Sequence, residues 1–224
     1  MSNVSSGSSS SALIARAPAF AWKGAQALKG VHALNERCIE LLAHIARTER
    51  DRIDPAIVSR HRGLWRTLNA TARANAARTP FLLVDVNFQD ADWWRWAKDP
   101  RLSGRRKMVP HAAFAGKIAG ELMREALMLA WSTATSNCDT AGVLLGMTPT
   151  VSGIIAGLGP QDVERIAARH SKHLRPRWEY FPAYWGKLLT AARDGDQDVL
   201  HEIHIHGMQL LGSEMLPLLD GRLL

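Results

Sequence analysis

The run His201-Glu202-Ile203-His204-Ile205-His206 sets three imidazoles and a carboxylate side by side, a residue set that looks at first like a zinc site. On a helix, however, His201 and His204 share a face while His206 points away. Two histidines four apart with glutamate after the first, as a zincin needs, are not present. The run therefore predicts no metal site, and His204, at the edge of an apolar stripe, reads as a core histidine. Cys38 and Cys138 are the only cysteines and have no CxxC spacing, so both read as reduced core residues. Gly142, Gly146, Gly153, Gly157 and Gly159 follow no strand and form no phosphate-cradling loop, which leaves helix packing and turns as their expected use. No nucleophile beside a base and no paired carboxylates stand out. The sequence predicts neither an enzyme nor a cofactor.

The stronger signal is cationic. Lysine and arginine number 28 against 21 acidic residues, a net charge of +7, with a pI near 9.9. Such a balance favours a polyanionic partner, double-stranded DNA foremost, over an acidic small molecule. Three basic runs carry it: Arg47 to Arg78, then Arg101 to Lys107 with Arg105 and Arg106, then Arg165, Arg169, Lys172, Arg175 and Arg177. Each is weighed against a plain solvated surface. Phosphate contact needs charge and reach more than fixed geometry, and a helix carrying Arg165 and Arg169 could present guanidinium groups to guanine edges. The expected DNA contacts are Arg105, Arg106, Lys107, Arg165, Arg169, Lys172, Arg175 and Arg177.

Helices must position these charges. Residues 1–30 read as a disordered or loosely ordered tail: Ser5 to Ser11 is broken only by Gly7, and Ala12 to Lys29 suits either a loose helix or a docking arm. Leu34, Cys38, Leu41, Leu42 and Ile45 recur at helical spacing over Val31–Arg47, and a second helix is expected from Pro55 to about Ala77. Leu82, Val84, Val86 and Phe88 alternate with Leu83, Asp85 and Asn87, the period of a short strand. Asp90 or Asp92 can cap a brief helix bearing Trp93, Trp94 and Trp96, too many large rings for one small core. These tryptophans are therefore expected at a partner contact, with a local aromatic core as the alternative.

No stretch is long and apolar enough to span a membrane, and no signal peptide precedes the chain, so a cytoplasmic protein is expected. The helix from about His111 to Ser136 is apolar on two sides, along Ile118, Leu122, Ala126 and Leu129 and along Met123, Leu127 and Trp131. Such burial predicts a homodimer with this helix in the interface. Thr148 can cap a helix that begins at Pro149, and Gly159-Pro160 can end it and start the next, the layout of a helix-turn-helix. In that second helix Val163, Ile166, Ala167 and His170 would face the core. The last helices are expected from Trp185 to Asp194 and from Asp196 onward, the latter with Val199, Ile203, Leu210, Leu211 and Met215 apolar.

Leu127-Met128-Leu129-Ala130, Leu145-Gly146-Met147, Gly157 to Ala167, and Leu200 to His204 with Met208 stand in an order and spacing that resemble the FlhD subunit of the bacterial flagellar master transcription activator, and similar subunits of activators on conjugative elements. The resemblance covers only the C-terminal half. It implies an all-α dimer whose N-terminal helix makes the dimer contact, an FlhC-like partner with which DNA is bound, and recruitment of RNA polymerase. The loop cysteine of flagellar FlhD has no counterpart near Leu174, so no disulfide-linked dimer is implied. The overall expectation is a mainly α protein with one short strand in its first half. It divides into a tail at 1–30, a basic helical module at 31–100, a basic linker at 101–110 and an FlhD-like domain at 111–224. Its expected function is a DNA-binding transcription activator subunit. The alternatives are a non-catalytic interaction or structural subunit, and a metal-dependent enzyme using His201 to His206.

Overall fold

The computed structural model of the protein describes residues 17–48, 55–99, 101, 112–114 and 116–220. Among these are eleven α-helices and one two-stranded antiparallel sheet, a mainly α fold. No single described helix is long and apolar enough to cross a membrane.

Helix α1 runs from Ala17 to Thr48. Of the two alternatives for Ala12 to Lys29, a loose helix or a docking arm, the helix is found from Ala17 onward, where alanine-rich sequence continues α1; residues 1–16 lie outside the described residues. Its buried stripe holds Val31, Leu34, Cys38, Ile39, Leu42 and Ile45. The single helix expected from Pro55 to Ala77 is instead three: α2 (Ala56–Arg60), α3 (Arg62–Thr67) and α4 (Ala70–Ala77). Leu68 leaves the helical conformation with ψ of 111°. Asn69 then accepts the Ala72 amide at 2.8 Å, since a short polar side chain at that point competes with the helical backbone and favours a new N-cap.

The expected strand shrinks to β1, Val84–Asp85, paired with β2, Arg175–Pro176, so that Val84 faces Pro176. The alternation at 82–88 does not separate an inner from an outer face: Phe81, Leu82, Leu83, Val84, Val86 and Phe88 are all fully buried. A buried segment still needs its backbone satisfied. Asn35 of α1, itself fully buried, donates to the Phe81 carbonyl at 2.9 Å and accepts the Leu83 amide at 2.7 Å. One side chain thereby does part of what a longer ladder would.

The second half contains α5 (Ala91–Lys98), α6 (Gly116–Ser136), α7 (Cys138–Leu145), α8 (Pro149–Ala156), α9 (Pro160–His170), α10 (Pro182–Asp194) and α11 (Gln197–Asp220). Helix α6 packs on α1, α7, α8 and α9, and α10 packs on α4 and α11. The two modules expected at 31–100 and 111–224 therefore share one hydrophobic core. Arg37 of α1 reinforces the junction by bridging Glu125 at 2.6 Å and Glu121 at 3.2 Å on α6.

That packing also corrects the dimer interface expected on α6. Leu122, Met123, Ala126 and Leu127 are buried by the chain's own helices, and Leu129 and Trp131 are half-buried against the same core. Only Ile118 is exposed. An all-round apolar helix does need burial on every side, but four neighbouring helices supply it. The cysteines divide: Cys38 is buried, with its thiol pushed far up by desolvation, whereas Cys138 is exposed and is corrected from a core residue.

Candidate nucleic-acid interface

Helix α8 starts as its sequence dictates. The Thr148 hydroxyl accepts the Val151 amide at 3.3 Å and Pro149 takes the first helical position, where its missing N–H leaves nothing unpaired. The chain turns through Gly157-Leu158-Gly159, and Asp162 accepts the Gly159 amide at 3.2 Å to cap α9. Neighbours fix the turn: the Trp131 indole donates to the Leu158 carbonyl at 2.9 Å and the Lys98 ammonium to the Gly157 carbonyl at 3.2 Å. Val163, Ile166, Ala167 and His170 are the buried residues of α9, as their spacing predicts. Helices α8 and α9 thus follow one another through a short turn, and α9 is held on α5 and α6.

The cations around it divide into two groups. Arg165 lies across α5, donating to the carbonyls of Ala97 at 3.0 Å and Lys98 at 2.8 Å and pairing with Asp162 at 2.8 Å. Arg177 is 3% exposed. It donates to the carbonyls of Leu82 at 2.9 Å and Leu145 at 2.8 Å, with Asp85 and Glu214 within ion-pair reach. Arg175 bridges Glu179 at 3.0 Å. These three expected DNA contacts are therefore corrected: Arg165 and Arg177 satisfy backbone carbonyls, among them those at the ends of α5 and α7 that lack intrahelical partners, and Arg175 is held by the Glu179 carboxylate. Arg62 and Arg66 repeat the pattern, both donating to the Ala46 carbonyl near the end of α1. Arg169 and Lys172 remain exposed, at the C-terminal end of α9 and in the single 3-10 turn Ser171–His173 that follows. Arg105, Arg106 and Lys107 lie outside the described residues.

His170 and His173, the sequence neighbours of Arg169 and Lys172, pack into an aromatic cluster. Asp90 caps α5 by accepting the Trp93 amide at 3.0 Å. Trp93 and Trp94 are buried and Trp96 is partly buried, which corrects their expected role as partner contacts. Trp93 meets Trp94 edge-on with ring centroids 5.0 Å apart, and the rings otherwise pack on different neighbours. Trp94 stacks on Phe88 with ring centroids 6.2 Å apart, Trp93 meets His173 at 4.9 Å, and Trp96 meets His170 at 4.9 Å. The Asn87 amide lies 3.3 Å from His173 Nδ1, a contact that makes Nδ1 the acceptor because the amide nitrogen can only donate. Burial, with His170 and Arg175 adding, lowers the His173 pKa to about 4. Burial, with Arg165 and Arg169 adding, also lowers that of His170. Both imidazoles are therefore neutral at neutral pH.

The histidine run of α11 is spread around its helix. His201 and His206 are exposed and His204 is half-buried, its pKa lowered by burial and then by His201 and His32. No three His, Cys, Asp or Glu side chains among the described residues form a group that could hold a metal. The candidate surface is therefore the C-terminal end of α9, where Arg169 and Lys172 are exposed and have no ion-pair partner among the described residues. The carbonyl-capping roles of Arg165, Arg177 and Lys98 have no signature in sequence spacing, since each joins residues at least 32 positions away. The chain matches no protein-family model, no curated protein and no solved structure.

Proposed function

We propose that the chain is a DNA-binding subunit of a transcription activator, acting as a homodimer with an FlhC-like partner at promoters where RNA polymerase is recruited. The observation that carries this reading is the exposed pair Arg169 and Lys172, without an ion-pair partner among the described residues, at the end of a helix pinned by Arg165, Trp131 and Lys98. The resemblance of the C-terminal half to FlhD and the net charge of +7 support it.

DNA is held through phosphates. With Arg165 committed to α5 and Glu164 paired with Arg124 at 2.7 Å, the outward face of α9 has few groups for reading guanine, and Gln161 is its main exposed hydrogen-bonding side chain. Affinity then comes from counterion release as Arg169 and Lys172, joined by Arg105 to Lys107, neutralise phosphates. Sequence selection falls largely to the partner.

A gel shift and footprint on DNA upstream of the chain's own locus, with and without an FlhC-like protein encoded beside it, tests the reading. A protected site that sharpens with the partner and fades in Arg169→Ala/Lys172→Ala is expected. Binding that ignores both sequence and partner contradicts it.

A further inference from the structure

We infer that the outward face of α11, along Ile205, Met208, Gly212 and Leu216, is the surface on which a second copy of this chain docks. Helix α11 has two apolar stripes of the same design. Leu200, Ile203, Gly207 and Leu211 follow one another at steps of three, four and four, and so do Ile205, Met208, Gly212 and Leu216. Steps of this kind line one side of a helix.

The first stripe shows what the design accommodates. Leu200, Ile203 and Leu211 are buried, and Gly207 is where other side chains enter: a Cβ there would overlap the Phe81 ring and lie 2.8 Å from the Tyr184 hydroxyl. The second stripe is complete but unfilled by the described residues. Ile205 is 46% exposed, Met208 43% and Leu216 60%, and a Cβ at Gly212 would meet nothing within 4 Å. Gly212 is thus a notch facing outward in the middle of an apolar row.

Charge selects the occupant. From Ile203 to Ser213 there is no Asp, Glu, Lys or Arg, whereas the outer face of a solvated helix is ordinarily charged. Glu214 is drawn inward, accepting from the Trp178 indole at 2.7 Å and the Gln89 amide at 3.2 Å. Two copies of a chain carrying +7 repel, and the approach that opposes no cations is through a face without them. A two-fold contact sets a patch against its own image. In an antiparallel pair centred on Gly212, Met208 of one copy lies opposite Leu216 of its partner, and the two glycines allow close approach of the helices. This contact gives the homodimer of the proposed function a surface, and rests on that reading only for the presence of a dimer in the active complex.

Sedimentation velocity of the full chain without DNA tests it, alone and with Met208→Glu or Gly212→Glu. Neither position contributes to the buried stripe, so thermal melts are expected to show no loss of stability in either variant, with a small gain for Gly212→Glu from helix propensity. The parent is expected to move with concentration from 24.7 kDa toward twice that mass, with at least a tenfold weaker association in each variant. A parent that stays monomeric up to roughly 100 µM, where even weak contacts are populated, overturns the inference. So does a dimer that neither variant weakens. Loss of DNA binding with an intact dimer would instead strike the proposed function and leave this surface standing.

Discussion

Arg165 and Ala97 are joined across two helices: the guanidinium of α9 donates to the Ala97 carbonyl at 3.0 Å and, through its other nitrogen, to the adjoining carbonyl of Lys98 at 2.8 Å. The α5 C-terminus is thereby satisfied by a residue 68 positions away. An arginine whose place in a second helix suggests base reading instead holds that helix in position.

Arg165→Ala is accordingly expected to cost stability before it costs DNA contact. Loss of two charge-assisted hydrogen bonds to carbonyls predicts a destabilisation of about 1–2 kcal/mol, read as a lower urea midpoint. The folded variant should retain parental DNA affinity. An unchanged midpoint with weakened binding would return Arg165 to the DNA surface.

Arg177 should be more sensitive. It is buried and ties together the 81–85 segment, the end of α7 and Glu214. Arg177→Met leaves two carbonyls unpaired, and the expected loss is about 3–5 kcal/mol, the scale for breaking a buried charged network. Arg177→Lys recovers little because one ammonium cannot reproduce the fork. Denaturation curves of the two variants check both statements.

Gly207 and Gly212 should respond in opposite directions to the same substitution. Gly207→Ala drives a methyl into Phe81 and Tyr184, an overpacking that costs about 1–3 kcal/mol. Gly212→Ala meets open space and gains about 0.5–1 kcal/mol from helix propensity, while it narrows the notch and weakens self-association. Thermal melts at low concentration isolate the folding effect.

Stability should fall with acid. The folded His173 pKa of about 4 lies below its ordinary 6.5, so the unfolded chain takes up a proton first as pH falls. Its contribution is complete above about 6.5 and is lost progressively toward 4. His170, lowered for the same principal reason, acts in the same direction. The melting temperature is expected to drop between pH 7 and pH 4.5, and His173→Gln should flatten part of that slope.

Local sequence signals marked what local chemistry decides. Thr148-Pro149, Gly159-Pro160 and Asp90 cap helices where their types suggest, and Val163, Ile166, Ala167 and His170 face inward at their helical spacing. Long-range satisfaction of backbone groups was not legible. Asn35, Arg165 and Arg177 look like ordinary helix-face or loop residues until a distant carbonyl is brought beside them. The α6 stripes marked burial correctly but could not say whose atoms would cover them. The two stripes of α11 overlap in sequence, and only the position of Phe81 and Tyr184 distinguishes the filled one from the open one.

The most direct test of the DNA reading is the salt dependence of binding, measured by fluorescence anisotropy on a promoter duplex for the parent, Arg169→Ala/Lys172→Ala and Arg165→Ala. If Arg169 and Lys172 each neutralise a phosphate, the double variant lowers the slope of log K against log salt by roughly 2, while Arg165→Ala leaves it unchanged. A double variant with the parental slope and affinity would contradict the account.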